Sequence, residues 1–451
     1  MKNSISFSGL FLTFLILTLS LTLNLSLSAQ SNILSMRERA GFIDNILEKR
    51  VADIVPGLME REGIDMWVII SREYNEDPVI KTFLPSTWLS ARRRTILVFN
   101  YDKNTKKMES LAVARYDVGT IFQKAWNPES QPDQFQRLVE IIQERNPNKI
   151  ALNYSTHFGL ADGISSTDLR ELEDALPNKF AKRITSAEKL ALGWLETRIP
   201  EEMVVYRHIC KIAHEIIAEA FSSKVITPGI TTTDDVVWWM RERVRDLNLV
   251  TWFHPSVSIQ RADPESFDHL RSFSKRPDLQ VIMPGDLLHV DFGISYLRLN
   301  TDTQQHAYIL RQGEEDAPDY LKKALKNGNE LQDIFTGNFK VGKTGNQVLK
   351  ESREMAITKG IKPSIYTHPI GYHGHAAGTT LGMWDQQEGV PHTGDYPLHA
   401  QTAYSIELNA ATFIEEWGKE IRIMLEEDAF FDGNSVQYID GRQKELLLIG
   451  K

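Results

Sequence analysis

Acidic residues stand in the middle of two apolar stretches near the C-terminus, and this restricts what the chain can fold into. AYSIELN (403–409) carries Glu407 at its centre, and EIRIMLEEDAFF (420–431) carries Arg422, Glu426 and Glu427. Both stretches read as strands, and an unpaired carboxylate inside a buried strand is costly. Acids in such places need a cation, and metal ions supply one.

Further metal-type ligands occur upstream. LLHVDFGISYLRLNTDTQQHAYIL (287–310) begins as a strand after the Pro284-Gly285-Asp286 turn, with Asp291 at its end and Asp302 eleven residues later. If the two flanking strands pair, these carboxylates face each other at one end of a sheet. HPIGYHGHAAGTTLGMWDQQ (368–387) adds His368, His373 and His375. Two Asp, one His and two Glu form an oxygen-rich set with one imidazole, suited to a pair of divalent ions such as Mn, Co or Zn. Two ions roughly 3.5–4 Å apart can deprotonate a shared water and polarise a carbonyl.

The 451 residues allow two domains. In the first, GIDMWVIIS (63–71), RTILVFN (94–100), LAVARY (111–116) and KIALNY (149–154) read as strands separated by helical or polar stretches such as 131–145. That alternation predicts an α/β layer. A boundary falls near GWLETRIPEE (193–202), where Pro200 opens a helix and Glu201 and Glu202 suit its positive end. Val205, Ile209, Ile212, Ile216 and Ala220 then mark one apolar helix face. From about residue 281 strands dominate, with residues 315–360 helical, so the second half reads as α+β with a mostly antiparallel sheet. The expected division is a leader at 1–29, an α/β domain at 30–195 and a second domain at 196–451.

The ligand set resembles, in type and order, that of the pita-bread metallopeptidases, which include methionine aminopeptidase, prolidase and Xaa-Pro aminopeptidase. The resemblance rests on the eleven-residue Asp291–Asp302 spacing, His375-Ala-Ala-Gly378, Glu407 in its Ile-Glu strand, and an Ile-Arg-Ile strand before the final acid. It covers about residues 200–433. The preceding part resembles the creatinase-type N-terminal domain found in prolidases and Xaa-Pro aminopeptidases. The resemblance implies a C-terminal pita-bread domain with two divalent ions, manganese first among them, held by Asp291, Asp302, His375, Glu407 and Glu426. It implies proline-containing peptides as substrates, removal of the residue before proline as the reaction, and a homodimer. Prolidase activity, a metal-free creatinase-type hydrolase and a non-catalytic binding protein are the alternatives.

Two departures alter the residue assignments. Met424 and Leu425 intervene between Ile-Arg-Ile and the final acids, and strand alternation places Glu426 on the face of Arg422, with Glu427 as the alternative ligand. Related peptidases also carry a histidine before an Asp a few residues past the metal histidine. Counting seven from His375 reaches Gly382, and the following acid is preceded by Trp384. The expectation is therefore that Trp384 lines the substrate pocket and that His373 or His269 takes the polar role. Arg422 is expected to orient a ligand carboxylate. His254 and His368 are left as packing or binding groups.

Other features narrow the setting. Lys2 followed by FSGLFLTFLILTLSLTLNLSLSA (7–29) reads as a secretory signal cleaved near Ser28 or Ala29, with an uncleaved membrane anchor as the alternative. A secreted or periplasmic protein with no membrane contact after cleavage follows. The single Cys210 allows no intramolecular disulfide and reads as packing. A net charge of -9 and a pI near 5.8 argue against nucleic acid. GNFKVGKT (337–344) matches the phosphate-loop pattern, but a helical pattern precedes it where a buried strand is required. The triplet DFG (291–293) lacks the other kinase motifs.

Overall fold

The computed structural model describes residues 33–262 and 280–450. The reading of residues 1–29 and the assignment of His269 lie outside them. Among the described residues no helix is long and apolar enough to cross a membrane.

The first described helix, Met36–Glu62, starts at a capping box in which Ser35 and Glu38 satisfy each other's backbone N–H groups, and it stops at Gly63. Gly63 has φ 65°, the left-handed conformation that glycine adopts without a Cβ penalty. A six-stranded sheet follows, formed by β1 (Met66–Arg72), β2 (Arg94–Asp102), β3 (Lys107–Val113), β4 (Gln123–Lys124), β5 (Ile150–Leu152) and β6 (Ile184–Ser186). Its order is β4-β3-β2-β1-β5-β6, with β1–β2 and β2–β3 antiparallel and the outer pairs parallel. Alternation along the strands builds two cores. Trp67, Phe83, Phe99 and Phe122 cluster with Trp194 on one face, where Phe83 stacks on Trp194 at 4.3 Å. Ile96, Val98 and Val68 meet helix Gln134–Arg145 through Leu138 and Ile142 on the other. The expected strands are present, with β3 beginning four residues earlier than the apolar run LAVARY suggests, because Lys107–Ser110 still pair with β2.

Helix Glu188–Glu196 leads to Pro200, the first residue of helix Pro200–Ala220. Glu202 does more here than complement a helix terminus. It is buried and accepts from the Ile199 N–H at 2.9 Å, from Arg50 at 2.5 Å and from Arg198 at 3.0 Å.

The remaining strands are β7 (Ser256–Gln260), β8 (Leu287–Phe292), β9 (Ser295–Tyr296), β10 (Leu299–Asn300), β11 (Thr303–Ile309), β12 (Lys362–Ile365), β13 (His368–Pro369), β14 (Thr402–Ile414), β15 (Lys419–Phe431), β16 (Val436–Tyr438) and β17 (Leu447–Ile449). The main sheet runs β12-β14-β15-β11-β8-β7, antiparallel at every step. Leu288, Val290 and Phe292 pack toward helices Pro200–Ala220 and Thr233–Asp246. Ile406, Leu408, Ile423 and Leu425 pack toward helices Asp319–Gly337 and Gly345–Thr358. Since neighbours in a strand alternate, the opposite face is left to His289, Asp291, Glu407 and Glu426. This is the predicted α+β pita-bread architecture behind an α/β layer. The phosphate-loop-like stretch lies between two helices, as expected: Thr344 caps Gly345–Thr358, and the Lys343 Nζ is 2.5 Å from Glu351.

Candidate metal centre

Strand register alone lines up most of the site. Glu407 of β14 stands opposite Glu426 of β15, Glu426 opposite Gln304 of β11, Gln304 opposite Asp291 of β8, and Asp291 opposite Ser256 of β7. One row therefore crosses five strands. Asp302 precedes Gln304 by two residues, just before β11. His368 of β13 pairs with Ser405, two residues from Glu407 along β14.

Three overlapping groups of donor atoms lie within 4.8 Å of one another: Asp291, Asp302 and Glu426; His368, Glu407 and Glu426; and Asp302, His368 and His375. The His368 Nε2 is 3.9 Å from both Asp302 Oδ2 and Glu426 Oε1. That gap is too wide for a hydrogen bond. His368 Nε2 and Asp302 Oδ1 are buried without a hydrogen-bond partner. Ser405 Oγ donates to Glu426 Oε1 at 2.6 Å, and Gln304 Nε2 donates to Glu407 at 2.9 Å and Glu426 at 2.6 Å.

The electrostatics are those of a site built around positive charge. Burial and then the charges of Glu426, Asp291 and Glu407 push Asp302 well above the carboxylate range. Glu426 is raised in the same way by burial, Glu407 and Asp291. Glu407 is pushed to about 8 by burial and Asp291. His368 is held neutral, at about 3, by burial and the neighbouring His375, and a neutral imidazole is the metal-binding form. Unpartnered acceptors and mutually repelling buried acids are the features a divalent cation relieves, so the donor set fits the ions the sequence implied.

The structure brings Asp291, Asp302, Glu407 and Glu426 together and sorts the remaining candidates. His368, left open as a packing residue, sits among the carboxylates, whereas His375 reaches them only at one corner and is exposed. Both histidines read His-x-x-Gly, His368 through Gly371 and His375 through Gly378, so the motif does not separate them. The pairing of β13 with β14 does. Glu427 turns to the other side, accepting from His214, from Gln305 at 3.1 Å and from the Gln443 N–H at 3.2 Å. His373 lies outside these groups against Tyr372, and burial with the charges of Lys81 and Arg198 lowers it to about 4. Arg422 is held through its backbone by the Gln260 amide. His254 lies with Arg241 and Trp238. Trp384, expected to line the substrate pocket, occupies the turn between Met383 and Gln386, is 49% exposed and lies outside the three donor groups.

Two aromatic residues beside the centre escaped the sequence reading. Trp252 meets His375 edge to face at 5.2 Å, with its Nε1–H fixed on the Thr301 carbonyl at 2.8 Å. Tyr366 lies 5.4 Å from the His368 ring and 6.1 Å from that of His375. Glycines make room for Trp252: a Cβ at either Gly293 or Gly374 would fall 2.4 Å from its ring. No periodicity marks Trp252 or Tyr366. The usable signal was the pair of glycines flanking metal-type ligands.

Comparisons with known proteins agree with this geometry. The model of metallopeptidase family M24 matches residues 205–428. No curated protein matches the chain by sequence. An X-Pro aminopeptidase from Thermotoga maritima is similar in structure, with TM-score 0.60 and 18% identity over 86% of this chain and 99% of that one. An Xaa-Pro dipeptidase from Bacillus anthracis gives TM-score 0.56 at 17% identity, covering 92% and 100%. A prolidase from Pyrococcus horikoshii gives 0.56 at 14%, covering 88% and 99%. At these identities the structural likeness establishes the fold. The segment 205–428, which carries every residue of the carboxylate–histidine cluster, is the part of the chain that matches metallopeptidase family M24, and match and fold together are consistent with the pita-bread metallopeptidases.

Proposed function

We propose that the chain is an exported, dinuclear metallopeptidase that removes an N-terminal residue before proline, with prolidase activity as the closest alternative. The observation that carries this reading is the group of four carboxylates and His368 on one sheet face, with His368 Nε2 and Asp302 Oδ1 buried and unpartnered. Asp291, Asp302 and Glu426 would hold one divalent ion, and His368, Glu407 and Glu426 the other. Manganese is favoured, with cobalt and zinc as alternatives. Such ions supply Lewis-acid polarisation of a peptide carbonyl and a lowered pKa of water.

The chain's own residues then divide the remaining work. Glu407, one of whose oxygens is held by the Gln304 amide, is the carboxylate we assign to take up the proton of the attacking water. His375 stands exposed at the edge of the cluster and is the candidate to donate one to the leaving amine. It also lies seven residues after His368, so the expected catalytic-type histidine need not be missing. Trp252 and Tyr366 flank His375 and offer an apolar wall that suits a proline ring. A signal at 1–29, domains at 30–195 and 196–451 and a homodimer complete the proposal.

The test is elemental analysis of protein prepared without chelator, together with turnover of a library of Xaa-Pro peptides of two or more residues. Two ions per chain and cleavage before proline are expected, and cleavage restricted to dipeptides selects prolidase. Bound metal without any turnover supports the binding-protein alternative, and absence of metal sinks the reading.

A further inference from the structure

At the middle of the five-strand row stands a neutral residue, Gln304. Its Nε2 donates to Glu407 Oε1 at 2.9 Å and to Glu426 Oε2 at 2.6 Å. Its Oε1 lies 2.8 Å from His289 Nε2. The network fixes the orientation of the amide, because carboxylates only accept and the NH2 end must face them. The carbonyl end then faces His289, whose Nε2 carries the hydrogen, and His289 Nδ1 lies 3.5 Å from Ser258 Oγ. Gln304 is 6% exposed, so water does not compete for these bonds. Ser405 Oγ donates to the other oxygen of Glu426 at 2.6 Å, so the carboxylate is held at both ends while each oxygen keeps a lone pair.

We infer that Gln304 is a positioning residue that sets the metal selectivity of the centre: it fixes the rotation of the Glu407 and Glu426 carboxylates, each oxygen keeping a lone pair for an ion, so that neither group turns to chelate a single ion through both oxygens. This rests on the metal centre proposed above. Calcium takes six to eight oxygens and favours bidentate carboxylates, whereas smaller transition ions accept fewer, singly bound oxygens and an imidazole. An amide fixed between two glutamates therefore disfavours calcium and favours manganese or zinc. A carboxylate at the same place would add charge and a further oxygen ligand and would reverse that bias.

The experiment measures Mn2+ and Ca2+ dissociation constants by titration calorimetry on metal-stripped wild type, Gln304→Leu, Gln304→Glu and His289→Leu, with circular dichroism to verify folding. Removing partners that orient metal ligands typically costs about 10–100-fold in affinity. Gln304→Leu is expected to weaken Mn2+ by that order and to narrow the Mn2+/Ca2+ ratio. Gln304→Glu is expected to tighten Ca2+. His289→Leu, which leaves the amide in place but unoriented, should shift the ratio in the same direction as Gln304→Leu, and it carries the test if that variant does not fold. The paramagnetic resonance spectrum of bound Mn2+ should broaden in both. Wild-type affinities and an unchanged Mn2+/Ca2+ ratio in folded variants overturn the inference while leaving the metal centre intact. A wild type that binds no Mn2+ overturns the metal centre and this inference together.

Discussion

Glu426 and Glu427 are adjacent in β15 yet serve opposite sides of the sheet. Glu426 is opposite Glu407 in the carboxylate row, while Glu427 is bonded to His214 of helix Pro200–Ala220 at 2.7 Å. Glu426→Gln should therefore lose bound metal with little change in the packed core. Glu427→Gln should keep the metal and lose stability by about 3 kcal/mol, the scale for breaking a buried charged pair. Metal content and chemical denaturation of the two variants check this, and the opposite pattern would exchange their roles.

The two histidines of the loop should behave differently. His368→Ala is expected to remove metal along with activity. His375→Ala should retain metal and lower turnover by about 10²–10⁴-fold, the usual contribution of a general acid or base. Metal stoichiometry beside steady-state rates separates the cases, and loss of metal from His375→Ala alone would return the ligand role to that residue.

His214 is held between Glu427 and Asp440, at 2.7 and 2.9 Å. Burial opposes its charge, but the two carboxylates outweigh it and raise His214 to about 10. A group whose folded pKa is raised contributes stability fully below its unfolded value, near 6.5, and loses it as pH climbs through the folded value. Wild-type stability relative to His214→Gln should thus be largest below about pH 6 and shrink steadily toward pH 10. Denaturation midpoints across that range test it, and a difference independent of pH would mean that His214 is not charged in the fold.

Lys343→Ala should leave peptidase activity, metal content and stability nearly unchanged. The residue pairs with the half-exposed Glu351 between two helices, and such pairs contribute about 0–1 kcal/mol. ATP binding that disappears in the variant, followed by equilibrium dialysis, would contradict this.

The fold was largely legible because its signals are local. Apolar runs marked β1, β2, β8, β14 and β15, and Pro200 announced its helix. Glu407 and Glu426 were legible because acids in buried strands conflict with burial itself, and Asp291 and Asp302 through the eleven-residue spacing on which the family resemblance rests. His368 was not, since two His-x-x-Gly motifs stand seven residues apart and only the register of a two-residue strand distinguishes them. Gln304 and Trp252 were missed for a similar reason. Neither violates a local rule, and their roles come from neighbours about a hundred or more residues away, such as Glu407, Glu426 and His375.

The ion cluster of Arg50, Arg198 and Glu202 has a consequence for how the protein melts. Arg50 belongs to the first described helix, yet it donates to the carbonyls of Trp194 and Thr197 as well as to Glu202. Unfolding the amino-terminal layer by itself would strip the buried Glu202 carboxylate of one of its two cations and leave the Thr197 carbonyl without that donor. Each half thus carries part of the other's solvation. The chain should denature in one calorimetric peak, with no window in which the peptidase half survives alone.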